Sequence, residues 1–210
     1  MEDVDLFLLG TLGEAPRVVC LPTAAGTEGP ERIAYWSDLG TAYFSRMGAE
    51  VEALPLLTHQ DAMNESLVSR IARANLVYLS GGKPDYLLSV LKGSLAWEAI
   101  LQVLTNGGVL VGCSAGAMVQ GGKIPGFPGW RQGLGLLSGT AVMPHFEEIP
   151  SWMVRMLHLW LGSKTNLVGI EGYTALVVDG SQAQVVGAGG VTVWGKAAPR
   201  RYVNGDRVPI

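Results

Sequence analysis

The five residues Gly112-Cys113-Ser114-Ala115-Gly116 are the strongest chemical signal in the chain. A serine hydroxyl is a weak nucleophile until it is held clear of the core and beside a base, and a Gly-x-Ser-x-Gly turn between strand and helix meets the first condition. Glycines at 112 and 116 permit the tight turn. The backbone N–H of Ala115 then points towards the oxygen of a tetrahedral intermediate at the start of the following helix. A second donor is expected from Gly82, in the run Ser80-Gly81-Gly82, because a glycine backbone approaches a substrate with no side chain in the way. The plainer reading is a strand-to-helix turn of small residues. The apolar run before the serine, the small residues after it and the glycine turn one β-α unit earlier favour the chemical reading. Cys113 is a rival nucleophile by type, but strand neighbours face opposite ways, so with Ser114 at the elbow Cys113 is expected in the core.

Three histidines could act as general base: His59, His145 and His158. His59 lies in a polar loop before Asp61, and His158 falls inside an amphipathic helical pattern. His145 follows the apolar run Thr140-Ala141-Val142-Met143 and Pro144, at the end of an extended segment, and is the best placed. A third group would hold its imidazole in the right tautomer. Glu171, after the apolar strand Leu167-Val168-Gly169-Ile170, would emerge at a sheet edge, where an ordinary loop acid is the alternative.

These residues need a scaffold, and the pattern of the chain supplies one. Strands are expected at Arg17–Leu21, Val51–Leu57, Leu76–Leu79 and Val109–Cys113, with helices at Ile33–Met47, Asn64–Ala74, Tyr86–Leu91 and Leu95–Leu104 between them. The stretch Gly121–Gly139 holds seven glycines and two prolines and reads as a long functional loop. A helix follows at Ser151–Leu161, with Ser151 as N-cap and Gly162 as terminator. Strands then close the chain at Leu167–Glu171, Ala175–Val178, Gln184–Val186 and Val191–Trp194. The expected fold class is α/β, a doubly wound, mostly parallel flavodoxin-like sheet with antiparallel strands near the C-terminus. In such sheets, sites form at the carboxyl ends of strands.

The 210 residues suit one domain, 1–210. Fifteen basic against eighteen acidic residues give a net charge of −3, with no cationic excess to hold nucleic acid. No apolar run approaches the roughly 20 residues needed to span a bilayer, and the acidic N-terminus lacks the marks of a signal peptide. Two cysteines in apolar runs give no disulfide framework, which fits a cytoplasmic protein. No cluster has metal-ligand spacing, and no complete dinucleotide or P-loop fingerprint occurs. Catalysis without cofactor or metal is therefore expected, and a homo-oligomer is compatible with the sequence.

The residues in these positions resemble the aspartyl dipeptidase (peptidase E) and cyanophycinase family of serine peptidases, which shares its fold with class I glutamine amidotransferases. The resemblance rests on Leu79-Ser80-Gly81-Gly82-Lys83-Pro84-Asp85-Tyr86-Leu87-Leu88, on Gly107 to Ala117 around the serine, on Pro144-His145-Phe146, and on Gly169-Ile170-Glu171-Gly172-Tyr173-Thr174-Ala175-Leu176. It implies Ser114 as nucleophile, His145 as base, Glu171 as third member, and Gly82 and Ala115 as oxyanion donors. It also implies a small peptide as substrate.

One departure bears on substrate. Those families carry an acid between nucleophile and histidine, whereas this chain has no Asp or Glu between Ser114 and His145. Lys123, Phe127, Trp130 and Arg131 occupy that segment instead. Arg131, with Lys123 and Trp130, is expected to bind an acidic side chain or free carboxyl-terminus. The alternatives are a hydrolase of another amide or ester on the same triad, or a non-catalytic binding protein on the scaffold.

Overall fold

Four short apolar runs, each followed by a helix, build a parallel sheet. The structure, a computed structural model, describes residues 1–126, 129–162 and 164–210. After helix α1 (Glu2–Gly10) come β1 (Arg17–Leu21), α2 (Pro30–Arg46), β2 (Glu50–Ala53), α3 (His59–Ala62), α4 (Glu65–Ile71), β3 (Leu76–Leu79), α5 (Pro84–Leu91), α6 (Leu95–Thr105) and β4 (Val109–Gly112). The strand order is β2-β1-β3-β4, all parallel. The chain steps outward from β1 to β2 and then back across to β3, which makes the carboxyl ends of β1 and β3 a topological switch point. Val18, Val19, Cys20, Leu21, Leu76, Val77 and Leu79 are buried, as continuous apolar runs between two helical layers should be. Local chemistry fixes the helix starts. Pro30 opens α2, Asn64 caps α4 through its side-chain oxygen, and the Ser94 hydroxyl caps α6.

The remainder comprises α7 (Ala115–Gln120), β5 (Gly121–Gly126), β6 (Gly129–Gln132), β7 (Leu137–Pro144), α8 (Ser151–Leu161), β8 (Asn166–Ile170), β9 (Thr174–Asp179), β10 (Gln182–Gly187), β11 (Gly190–Trp194) and β12 (Arg200–Val203). Six of these strands form a sheet in the order β12-β11-β8-β7-β5-β6, parallel through β8-β7-β5 and antiparallel elsewhere, while β9 and β10 form a hairpin. The chain divides into two compact units, Leu6–Gly116 and Met1–Asp5 with Ala117–Ile210. The first packs Leu9, Val18, Cys20, Phe44 and Leu76 together. The second has one cluster around Val168, Val185 and Val191 and another around Ala141, Val154, Leu161 and Leu167. Among the described residues no single helix is long and apolar enough to cross a membrane.

The α/β class with its parallel core and antiparallel additions is as the sequence implies. Four local expectations are corrected. The segment Gly121–Gly139 is not a loop throughout: its described residues form the antiparallel strands β5 and β6, an irregular stretch over 133–136 and the start of β7, while residues 127–128 lie outside the described residues. Its glycines suit close strand approach, since a side chain at Gly133 would strike the Gly121 carbonyl, and Pro125 lies beyond the Lys123↔Ala141 pair that ends the ladder with β7. Pro150, not Ser151, stands at the N-cap of α8, whose far end terminates at Gly162 with φ 80° as expected. The strand expected at Val51–Leu57 stops at Ala53, and Leu54 and Leu56 continue as fully buried irregular chain. Cys113 is half-buried rather than a core residue.

Candidate active site

The turn at Ser114 is built by backbone packing. Strands β3 and β4 run in parallel with Leu79 opposite Gly112, so Ser80-Gly81-Gly82 and Cys113-Ser114 leave neighbouring strands at one level. The Cys113 N–H donates to the Leu79 carbonyl at 3.0 Å, and the Gly116 N–H donates to the Cys113 carbonyl at 2.9 Å, closing the turn around Ser114. Ser114 itself has φ 50°, a left-handed conformation that a non-glycine residue adopts only when its surroundings force it. A side chain at Gly116 would collide with the Leu79 carbonyl, so the helix start can press against β3 only with glycine there. Gly82, at φ 141°, lies against the Ala24 carbonyl in the loop after β1, and the adjacent Lys83 N–H donates to that carbonyl at 2.8 Å. The N–H groups of Gly82 and Ala115 donate to no acceptor among the described residues. Two unspent amides beside a half-buried serine at a strand-to-helix turn are what an oxyanion hole requires. Next to Gly82, a cleft of about 490 Å³ is lined by Thr27 and the first turn of α5, Lys83 to Tyr86.

The base region repeats the strand geometry with different fastenings. Strands β7 and β8 are parallel with Pro144 opposite Ile170, so His145 and Glu171 are the next residues of paired strands. His145 is also left-handed, at φ 53°. Phe146 packs its ring over Gly169, leaving no room for a side chain on β8 at that point. Glu147 accepts the Gly172 N–H on Oε1 at 2.8 Å, tying the histidine loop to the Glu171 loop. The Glu148 N–H donates to the His145 carbonyl at 3.0 Å. Within its own unit the His145 ring has no hydrogen-bond partner among the described residues.

Glu171 has a partner that the sequence did not suggest. Arg201, on β12, donates from Nε to Oε1 and from Nη2 to Oε2, each at 2.6 Å. Gly190 provides the seat for this guanidinium, whose Cζ lies 2.7 Å from where a Gly190 side chain would begin. Hydrogen bonding from Arg201, reinforced by its charge, outweighs partial burial and holds the Glu171 carboxyl below its ordinary range. Both carboxylate oxygens thus serve Arg201, and the expected bond to His145 is absent from the described residues.

The other histidines are committed elsewhere. His59 Nδ1 lies 2.9 Å from the Val90 carbonyl, and the His158 ring packs at 5.9 Å from that of Trp194. Of the expected substrate residues, Lys123 donates from Nζ to the Leu161 carbonyl at 3.2 Å, closing the C-terminal end of α8. Trp130 packs into the cluster of Ala141, Val154, Leu161 and Leu167. Arg131 is exposed on β6 with its side chain laid over Gly126. Phe127 lies outside the described residues. Among the described residues no group of His, Cys, Asp and Glu could hold a metal ion.

The family model that matches residues 1–186 is that of peptidase family S51. The chain belongs to peptidase family S51, and its chemistry is that of a serine peptidase. A crystal structure of a peptidase from an acI-B1 actinobacterium is 34% identical with a TM-score of 0.88, covering 100% of this chain and 89% of its own. The crystal structure of a putative peptidase E protein from Listeria monocytogenes matches at 18% identity and a TM-score of 0.64, over 89% of this chain and 94% of that one, and shows the fold. An uncharacterized peptidase of Listeria monocytogenes is 22% identical over 79% of this chain and 83% of its own.

In this S51 peptidase the sequence reading missed Arg201, Glu147 and Gly190. Arg201 lies in the run Arg200-Arg201-Tyr202-Val203, which shows no strand alternation of apolar residues. No spacing in the sequence could have paired it with Glu171, 30 residues earlier. Glu147 could have been found, being an acid two residues after the candidate base.

Proposed function

We propose that this peptidase hydrolyses small peptides, dipeptides among them, by acyl transfer through Ser114, with His145 as general base and residues 1–210 acting as one catalytic domain. The observation that carries the reading is Ser114, strained to φ 50° at the carboxyl end of β4 beside the unspent amides of Gly82 and Ala115. The Ser114 oxygen attacks the scissile carbonyl as His145 takes its proton. The oxyanion accepts from Gly82 and Ala115. The protonated His145 then delivers its proton to the leaving amine, and water repeats the sequence to free the acid.

Glu171 stands as the third member through electrostatics: a carboxylate kept ionised by Arg201, one residue past the strand pair that also delivers His145, favours the imidazolium that forms. For substrate choice, Arg131, exposed on β6, is the cation proposed to read an acidic side chain or free carboxyl-terminus through its planar guanidinium. A cytoplasmic site of action agrees with two free cysteines, one of which, Cys20, has its thiol pushed up to about 12 by burial.

A dipeptide and tripeptide library digested by wild type and by Ser114→Ala, read by mass spectrometry, tests the reading. Cleavage should disappear by several orders of magnitude in the variant, as removal of a nucleophile does in serine peptidases. Retention of a tenth of the activity would remove Ser114 from the mechanism.

A further inference from the structure

The nucleophile turn has an aromatic neighbour with no part in the chemistry above. Trp36 projects from α2 onto Gly81. A side chain beginning at Gly81 would lie 3.2 Å from Cζ2 and 3.4 Å from Cη2 of the indole, and 3.5 Å from the Cβ of Ser114. One small volume is thus bounded by the glycine turn, the carbon that carries the nucleophilic oxygen and the benzenoid edge of a tryptophan. All of these groups belong to the unit Leu6–Gly116, where Gly81 and Ser114 follow the neighbouring strands β3 and β4.

The ring is fixed on a long helix and braced. Tyr35 meets it edge-on at 5.5 Å between centroids, and the Arg32 guanidinium lies 5.3 Å from its centre. Arg32 in turn reaches Glu28 at 3.6 Å. Trp36 is half-buried, yet its Nε1 is covered and has no partner among the described residues. The side chain therefore leaves only carbon accessible, a surface suited to excluding or packing an apolar group and not to orienting a polar one.

We infer that Trp36 is a specificity-determining residue of the acyl side: its indole edge limits the size of the group carried by the carbonyl that Ser114 attacks. The inference rests on the reading of Ser114 as the acylated nucleophile. In an acyl-enzyme that group begins only a few bonds from the Ser114 oxygen, within reach of the volume that the indole bounds. Small acyl residues such as glycine and alanine fit beside the ring, and branched or aromatic ones meet it.

The test uses two fluorophosphonates, one with an ethyl and one with a phenylpropyl substituent on phosphorus. Each forms a P–O bond to the Ser114 oxygen as the P–F bond breaks, fluoride leaves and the serine proton passes to the base, so the readout needs no knowledge of the natural substrate. Rates of labelling are followed by intact mass for wild type, Trp36→Phe, Trp36→Ala and Ser114→Ala. Wild type should prefer the ethyl reagent by about tenfold or more, the order of discrimination that pocket size gives. Trp36→Ala should erase or reverse that preference, with Trp36→Phe between the two. Should Trp36→Ala fail to fold, the wild-type preference and its reduction in Trp36→Phe decide the matter. Equal labelling of wild type by both reagents, or a ratio unchanged in the variants, overturns the role of Trp36 and leaves Ser114 as nucleophile. Failure of wild type to label with either reagent overturns the reading of Ser114, and the inference with it.

Discussion

The carboxyl ends of β3 and β4 and those of β7 and β8 deliver their residues in the same way, from register pairs Leu79↔Gly112 and Pro144↔Ile170 of parallel strands, but they are held by different means. Around Ser114 the fastening is backbone on backbone: glycines at 82 and 116 press against the carbonyls of Ala24 and Leu79. Around His145 it is side chain on backbone and side chain on side chain: Phe146 over Gly169, Glu147 on the Gly172 N–H, and Arg201 on Glu171. Backbone fastening tolerates no added atom, whereas side-chain fastening can be loosened one bond at a time. The two regions should therefore fail differently under mutation.

The largest contrast is expected from Gly116→Ala. Its new methyl group would meet the Leu79 carbonyl, and relief requires shifting α7 from β3 and with it the turn at Ser114. Overpacking of this kind destabilises by about 1–3 kcal/mol, and displacement of the nucleophile should lower kcat by about 10² or more. Thermal unfolding and peptide hydrolysis measured together check this. A variant with wild-type activity and stability would show that the turn is not held as described.

Glu171→Gln should act on turnover and hardly on stability, lowering kcat by about 10² to 10⁴ with little change in KM if the carboxylate supports His145. Arg201→Ala sharpens the point, because it leaves the carboxylate but frees it from the strand that aims it. A tenfold loss of kcat is expected there, on the order that misplacement of a supporting group gives, with partial recovery in Arg201→Lys. The acid side also reports the pair. Its folded value being depressed, Glu171 contributes stability that is complete above its ordinary 4.5 and is lost as pH falls through the lower folded value. In Arg201→Ala that acid-side loss should flatten. Because Arg201 is well exposed, salt should weaken the contribution even in wild type.

Glu147→Ala marks the small end. It removes one hydrogen bond, worth about 1 kcal/mol, between two loops. A modest drop in melting temperature is expected with Ser114 labelling unchanged, whereas loss of labelling would promote Glu147 to a place beside His145.

The same contrast explains what could be read from the sequence. Gly82 and Gly116 are visible as letters, and their meaning follows from the strand before and the helix after, so the strand-turn-helix at Ser114, β1, β3 and the switch-point sheet were all legible. The Glu171–Arg201 pair was not, because it reaches from the end of β8 across β11 to β12, an order set by sheet assembly rather than by chain order. The β5-β6 hairpin was hidden by composition, since the glycines that let its strands approach also imitate a loop. α1 was passed over because its apolar stretch is brief, although Glu2, Asp3 and Asp5 in its first turn suit the positive end of a helix. Lys123 shows the limit of charge counting: the cation was visible, and the helix-end carbonyl that occupies it was not.

The left-handed backbone of Ser114 also bears on how this protein could change over evolutionary time. A β-carbon in that conformation is disfavoured by about 1–2 kcal/mol relative to glycine, so the protein keeps a serine at this turn against a standing pull towards a quieter residue. Ser114→Gly should raise the melting temperature while abolishing labelling, a trade of activity for stability at a single codon. Descendants released from selection for hydrolysis would lose the serine readily and keep the fold. In a set of relatives, glycine at this position would therefore mark the lineages that have retired from catalysis.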